Sequence, residues 1–349
     1  MFVESIKRSG VLAALCASTF AAPALATNFC VHTAAEIQSA LTSAQANGQD
    51  DTINIVAGSY ELATGLTFTS TEAHFLHING YYQDAQCTIF DEASPGATLD
   101  GNQLVRPLYI SNQNDSVEIA RLNFAAGKPP AGSGGGGLLL AAASATVKYS
   151  TFFGNRTTGS MALGAGVYIF AGGLSVFADN LVFANSGSDA GAVAVLQASG
   201  EGHVNRNTIV SNSTDTLDYP GGLFISGSAN FYIGNNIVWN NAAPGGSDFA
   251  VQGPNVRKTN DIGIVKPGST AGAVIGEVSV NPGFVPCNTI VCFDFELTRS
   301  SPLVDAGTDG LDPAGGPDLA GKARIIGPHT DIGVYENDVI FIDGLQAST

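Results

Sequence analysis

A unit of 27 to 30 residues, carrying three short apolar segments and no helical pattern, repeats through the middle of the chain. It predicts an all-β fold, a parallel β-solenoid with three strands per coil. Composition agrees. Of 349 residues, 43 are glycine and only 13% are charged, against about 7% and about 25% in ordinary globular domains. The 44% hydrophobic content argues against disorder. Two Met and one Trp do not suit a Met-padded helical core. Fourteen Lys and Arg against 30 Asp and Glu give a net charge of −16, which leaves no electrostatic footprint for nucleic acid or anionic membrane.

The N-terminus reads as a targeting segment. Lys7 and Arg8 precede an apolar stretch from Val11 to Ala22, and Ala24 and Ala26 flank a small-x-small cleavage site. Residues 1–26 are expected to be a signal peptide, with the mature chain starting at Thr27. Its removal leaves 12 basic and 29 acidic residues. No other run is long and apolar enough to span a bilayer. Four cysteines then remain, an even count that suggests disulfides in an exported chain. Three pairings exist. The close spacing of Cys287 and Cys292 favours a small loop there, leaving Cys30 with Cys87; metal binding is the alternative, with spacings that match no zinc pattern. Thr33 and Glu36 form a capping box that predicts a helix over 33–47, placed to cover the apolar end of a solenoid.

Strand-like segments follow at 53–56, 75–78, 97–99, 108–110 and 117–124, with Arg121 taken into the column of Ser150. The coils are most regular over 136–246. Gly137, Gly166, Ala192 and Gly222 open successive first strands. In one unit the three strands run from Val167 to Phe170, Ser175 to Ala178 and Leu181 to Phe183. Each unit ends on a recurring amide: Asn155, Asn185, Asn212 and Asn241. Five residues earlier stand Ser150, Asn180, Asn207 and Asn236. Stacked at about 4.8 Å, these become ladders of side-chain amides. Between them lie two apolar columns, Phe152, Val182, Ile209, Val238 and Phe153, Phe183, Val210, Trp239, both expected in one continuous core.

The coil pattern resembles right-handed parallel β-helix proteins of the pectin-lyase-like superfold. The opening at Gly136–Leu138 and the ending at Phe152–Asn155 also resemble repeats of polymorphic outer-membrane proteins. The segments 280–284, 295–307, 318–324 and 331–336 follow in an order similar to the choice-of-anchor Q domain of exported bacterial β-helix proteins. The resemblance implies one right-handed β-helix domain over 27–337 with eight to ten coils. It also implies export, a closing module at 280–336, and a tail at 338–349 similar to the short tails of exported proteobacterial proteins.

The candidate chemistry lies beside the amide ladder. One mixed row holds Tyr149, Asp179, Arg206 and Asn235, and neighbouring columns add Lys148, Asn205, His203 and Tyr232. If the coils register as aligned, Asp179 and Arg206 sit on adjacent rungs. Asp179, His203 and Arg206 form the candidate catalytic set. Lys148, Tyr149, Tyr232 and Asn235 are the candidate substrate contacts on a wall suited to polysaccharide. A lyase needs a base near neutral pH and a cation for a uronate. The bland alternative is a cross-strand ion pair on a solvated face. A glycosidase needs two spaced carboxyl groups; Asp215 and Asp218 near Tyr219 qualify by position, although turn-forming Asp residues look the same. Asp305, Asp309 and Asp312 in a glycine-rich stretch are candidate calcium ligands. Asp318 and Asp331 are expected to fix the last coil through Arg324. Tyr168, Phe170 and Phe224 form an aromatic stripe unless loops cover the first strands.

Function read from these residues is binding of extracellular polysaccharide, extended to cleavage by a lyase or glycoside hydrolase if the catalytic set forms. The competing reading is a non-enzymatic adhesin or cell-envelope structural protein. Twelve basic residues in the mature chain count against a lyase for a polyanionic sugar.

Overall fold

The computed structural model describes residues 26–91, 96–286, 295–311 and 316–337. The strands stack in parallel as a solenoid. Third strands form an eight-stranded sheet, so eight coils are stacked among the described residues. First and second strands share a fifteen-stranded sheet, because in two coils they run on as single strands, Leu108–Ala120 and Leu138–Lys148.

Register follows the repeats. Phe152 pairs with Val182, Val182 with Ile209, and Ile209 with Val238. Val167 pairs with Leu138 and Val193, and Val193 with Leu223. One alignment is corrected. Thr151 pairs with Asn123, which puts Leu122 beside Ser150 and Arg121 beside Tyr149. That coil is one residue shorter than the spacing assumed for it.

Both amide ladders form. Asn155 Nδ2 donates to Asn185 Oδ1 at 2.9 Å, Asn185 to Asn212 at 2.9 Å, and Asn212 to Asn241 at 2.9 Å. The other ladder runs from Asn180 to Asn207 to Asn236. It continues to Asn260, which the shorter spacing of that coil hid. Each Oδ1 also accepts the backbone N–H of the preceding Asn, as at Asn180 N to Asn207 Oδ1, 3.0 Å. The residue before each ladder position lies in the left-handed region: Tyr149, Asp179, Arg206, Asn235 and Thr259 in one column, Gly154, Ala184, Ser211 and Asn240 in the other. Each such non-glycine residue costs about 1 kcal/mol or more. The asparagine that follows, or Ser150 after Tyr149, satisfies the turn's backbone and holds the corner.

The two apolar columns face opposite ways, a correction to the single core expected of them. Phe152, Val182, Ile209 and Val238 point inward, with Phe152 stacked on Phe124 at 4.8 Å. Phe153, Phe183, Val210 and Trp239 point outward into a second cluster. Side chains alternate along a strand, so adjacent columns cannot share a face. Residues 295–311 and 316–337 cover this outward face through Leu297, Leu303, Leu319, Ile332 and Val334. The expected closing module therefore lies along the side of the stack rather than across its end.

The ends are finished differently. The helix Ala34–Ala44 is capped by Thr33, whose hydroxyl accepts from Glu36 N, and it stops three residues short of Asn47. It buries Ile37, Ala40 and Leu41 on the first coil. Cys30 and Cys87 are disulfide-bonded; Cys287 and Cys292 lie outside the described residues. At the far end Arg257 takes the inward position of Ile233 and meets Glu277 at 3.4 Å. An inward ion pair there stops apolar stacking, a known way to blunt a sheet edge.

Asn207 donates to Phe177 O and Asn236 Oδ1 and accepts from Asn180. Asn207→Leu strands several buried groups and is expected to lower unfolding free energy by roughly 3 kcal/mol. Asn230→Ala, at an exposed site, is expected to stay within about 0.5 kcal/mol. Urea denaturation of both variants checks the difference.

Candidate functional site

The mixed row sits on the left-handed corners, where side chains leave the coil sideways. The C-terminal segment lies directly over it. Asp179 and Arg206 do meet on adjacent rungs: Nε and Nη2 of Arg206 donate to the two carboxylate oxygens at 2.7 Å each. Arg324 Nη2 adds a third bond to Oδ1 at 2.6 Å. Asp179 is 1% exposed and Arg206 4%. Both arginines border a cavity of about 270 Å³, yet these nitrogens turn to Asp179. Asn235 exchanges bonds with Thr308, its Nδ2 donating to O and its Oδ1 accepting from N, both 2.9 Å. Tyr149 is buried with Arg121 over its ring at 4.7 Å, and Gly316 passes so close that a Cβ there would lie 2.0 Å from the phenol oxygen. The row is a fastening for the C-terminal segment. It does not bring His203 to Asp179.

Arg324 thus reaches Asp179 rather than forming ion pairs with Asp318 and Asp331. Those two carboxylates accept backbone N–H groups instead: Asp318 from Ala320, Lys322 and Glu336, Asp331 from Asp305 and Asn337.

His203, Tyr232 and Lys148 occupy the outward face of the second strands. Pairing lines up Thr52, His77, Glu118, Thr146, Val176, His203, Tyr232 and Val256 in one column. The rings of His203 and Tyr232 stack at 5.2 Å and 19°, and Tyr232 is 39% exposed. His203 Nε2 lies 3.6 Å from Glu201. Beside the rings, Asn205, Gly234 and Lys258 form the next outward column and, with Leu311, wall a cavity of about 190 Å³. A Cβ on Gly234 would come within 2.4 Å of Leu311 Cδ1, so a side chain there would push Leu311 aside.

Two residues on this face, His77 and Glu118, have no counterpart among the candidates read from sequence. Glu118 Oε1 is 2.9 Å from Lys148 Nζ and 3.5 Å from His77 Nε2. Burial pushes the His77 pKa down, against the pull of Glu118. The register break between Asn112 and Ser116 displaces Glu118 from the simple repeat, so no fixed spacing pointed to it.

The remaining candidates are scattered. Asp215 and Asp218 are exposed, and Tyr219 packs edge-on against Phe224 at 5.0 Å. Phe224 is buried with Ala190, Ala194 and Ala250, so loops cover much of the first-strand face, leaving Phe170 exposed. Asp309 is held by His329 Nδ1 and Thr330 N, both 2.9 Å, which lowers its pKa. Asp305 Oδ1 accepts from His329 N at 3.4 Å, and Asp312 lies outside the described residues. Among the described residues no three His, Cys, Asp or Glu side chains group to hold a metal ion, and no helix is long and apolar enough to cross a membrane.

The C-terminal fastening carries one pH signature. Burial, reinforced by the Asp331 carboxylate, pushes the Glu336 pKa up to about 8. Folded Glu336 therefore binds its proton more tightly than the unfolded chain does. Its contribution is fully present below the ordinary carboxylate range and is lost as pH rises through about 8. Asp261, raised to about 6 by burial, acts in the same direction. Thermal melts are expected to show stability falling as pH rises from the ordinary glutamate range through about 8. Glu336→Gln is expected to flatten that slope, by an amount on the order of 3 kcal/mol.

Residues 52–261 match the family described as the right handed beta helix region. No curated protein sequence gives a significant match to the chain. The matched span covers more than half of the 349 residues and takes in most of the outward face formed by the second strands. The chain belongs to the right-handed β-helix family.

Proposed function

We propose that the chain is an exported protein that binds extracellular polysaccharide along the outward face of its second strands. The observation that carries this reading is the stacked, half-exposed His203–Tyr232 pair beside Asn205 and Lys258. Flat rings offer a surface to the C–H face of a sugar, while amide and ammonium groups take its hydroxyls, the usual mixture at a ligand site. The column passes from rung to rung along the stack, which suits a linear polymer. The Cys30–Cys87 disulfide fits an oxidising compartment and so supports export.

The reading is binding rather than cleavage. Asp179 and Arg206 bond to each other beneath the C-terminal segment and leave His203 without them. An adhesin role would use the same face on a cell-surface glycan.

A panel of soluble polysaccharides, followed for binding, new reducing ends and unsaturated product, tests this. Binding without turnover is expected. Tyr232→Ala is expected to weaken binding at least about tenfold, equivalent to about 1.4 kcal/mol, with an unchanged melting temperature. Wild-type affinity in that variant would remove the site. Binding to intact cells with no soluble ligand favours the adhesin role.

A further inference from the structure

We infer that the same outward face carries a second sugar subsite at its N-terminal end, and that one uncharged linear glycan occupies both subsites together. The inference rests on the polysaccharide reading above and adds to it the ligand's charge and minimum length.

The second subsite is a cavity of about 410 Å³ whose lining includes Asn28, Thr52, Asn54, His77, Tyr82 and Gln86. The Cys30–Cys87 disulfide forms part of its wall. Two amide oxygens there or on the adjoining rung are buried without a hydrogen-bond partner: Asn54 Oδ1 and Asn79 Oδ1. Asn79 is only 7% exposed. Buried acceptors left unmatched are costly, and each of these calls for a donor. A ligand rich in hydroxyl donors completes this set, and the Tyr82 ring offers an apolar wall.

The two subsites share one column. From His77 the pairing passes through Glu118, Thr146, Val176 and His203 to Tyr232. That is five rung steps, about 24 Å at the interstrand spacing. Thr146 and Val176 are short side chains, so the floor between the subsites is low. A pyranose unit advances a linear glycan by close to one rung, so a chain of about six units is needed to touch both ends. Charge along the track is balanced. Glu118 and Lys148 neutralise each other at 2.9 Å, and the N-terminal cavity is lined by no carboxylate, lysine or arginine. The acidic chain as a whole repels polyanions.

Isothermal titration with linear glucan and mannan oligomers, from dimer to octamer, tests this, with polygalacturonate as the charged comparison. Affinity is expected to rise at least about tenfold between trimer and heptamer, because the second contact becomes intramolecular. Asn54→Ala with Gln86→Ala is expected to abolish that rise and leave trimer affinity unchanged. Tyr232→Ala is expected to weaken trimer and heptamer alike. The inference is overturned if wild-type affinity is independent of length, if the double variant weakens the trimer as much as the heptamer, or if polygalacturonate binds more tightly than the neutral chains. In those cases Tyr232-dependent binding still stands. Absence of binding to every glycan overturns both readings together.

Discussion

The regular coils turn twice through the left-handed region, and from Asn155 to Asn260 an asparagine after each turn of the two ladders makes that conformation tenable. The amide gives one bond to the next coil's asparagine, one to a carbonyl of the coil before, and accepts a backbone N–H in return. A corner that strains the backbone by about 1 kcal/mol is over-determined by several buried bonds. Because the bonds run from coil to coil, the ladder also fixes register. A slip of one residue would turn the inward phenylalanines out and the outward ones in.

Fixed corners decide what the outside of the molecule can be. A left-handed residue projects away from the coil, so the column of Tyr149, Asp179, Arg206 and Asn235 is available for something to dock against. The C-terminal segment takes that place. It brings Arg324 to Asp179 and Thr308 to Asn235, and its aliphatic residues cover the outward third strands. The second strands, one corner earlier, remain uncovered at His203 and Tyr232. The candidate binding face is thus the wall that the segment borders at Leu311 without covering the His203 and Tyr232 rings.

The ladder is legible in the sequence because identical amides recur at near-constant spacing where coils stack, and register follows from it. The N-terminal helix and the Cys30–Cys87 bond are legible for local reasons, a capping box and a cysteine count. Asp179 and Arg206 fall on neighbouring rungs, as their spacing predicts. What covers them is not readable, because Arg324 lies 145 residues from Asp179 and no local pattern links them. Phe153, Phe183, Val210 and Trp239 look like core in the sequence, although strand alternation puts them on the other face. Asn260 and Glu118 escape because their coils depart from the common length.

The amide ladders, more than the apolar core alone, hold neighbouring coils in one cooperative unit. Native-state hydrogen exchange at the backbone amides of Asn180, Asn207 and Asn236 measures this most directly. They are expected to exchange only through global opening, at the same free energy for all three positions. Fast exchange at one of them, with the others still protected, would mean that the coils open independently and that the ladder does not join them.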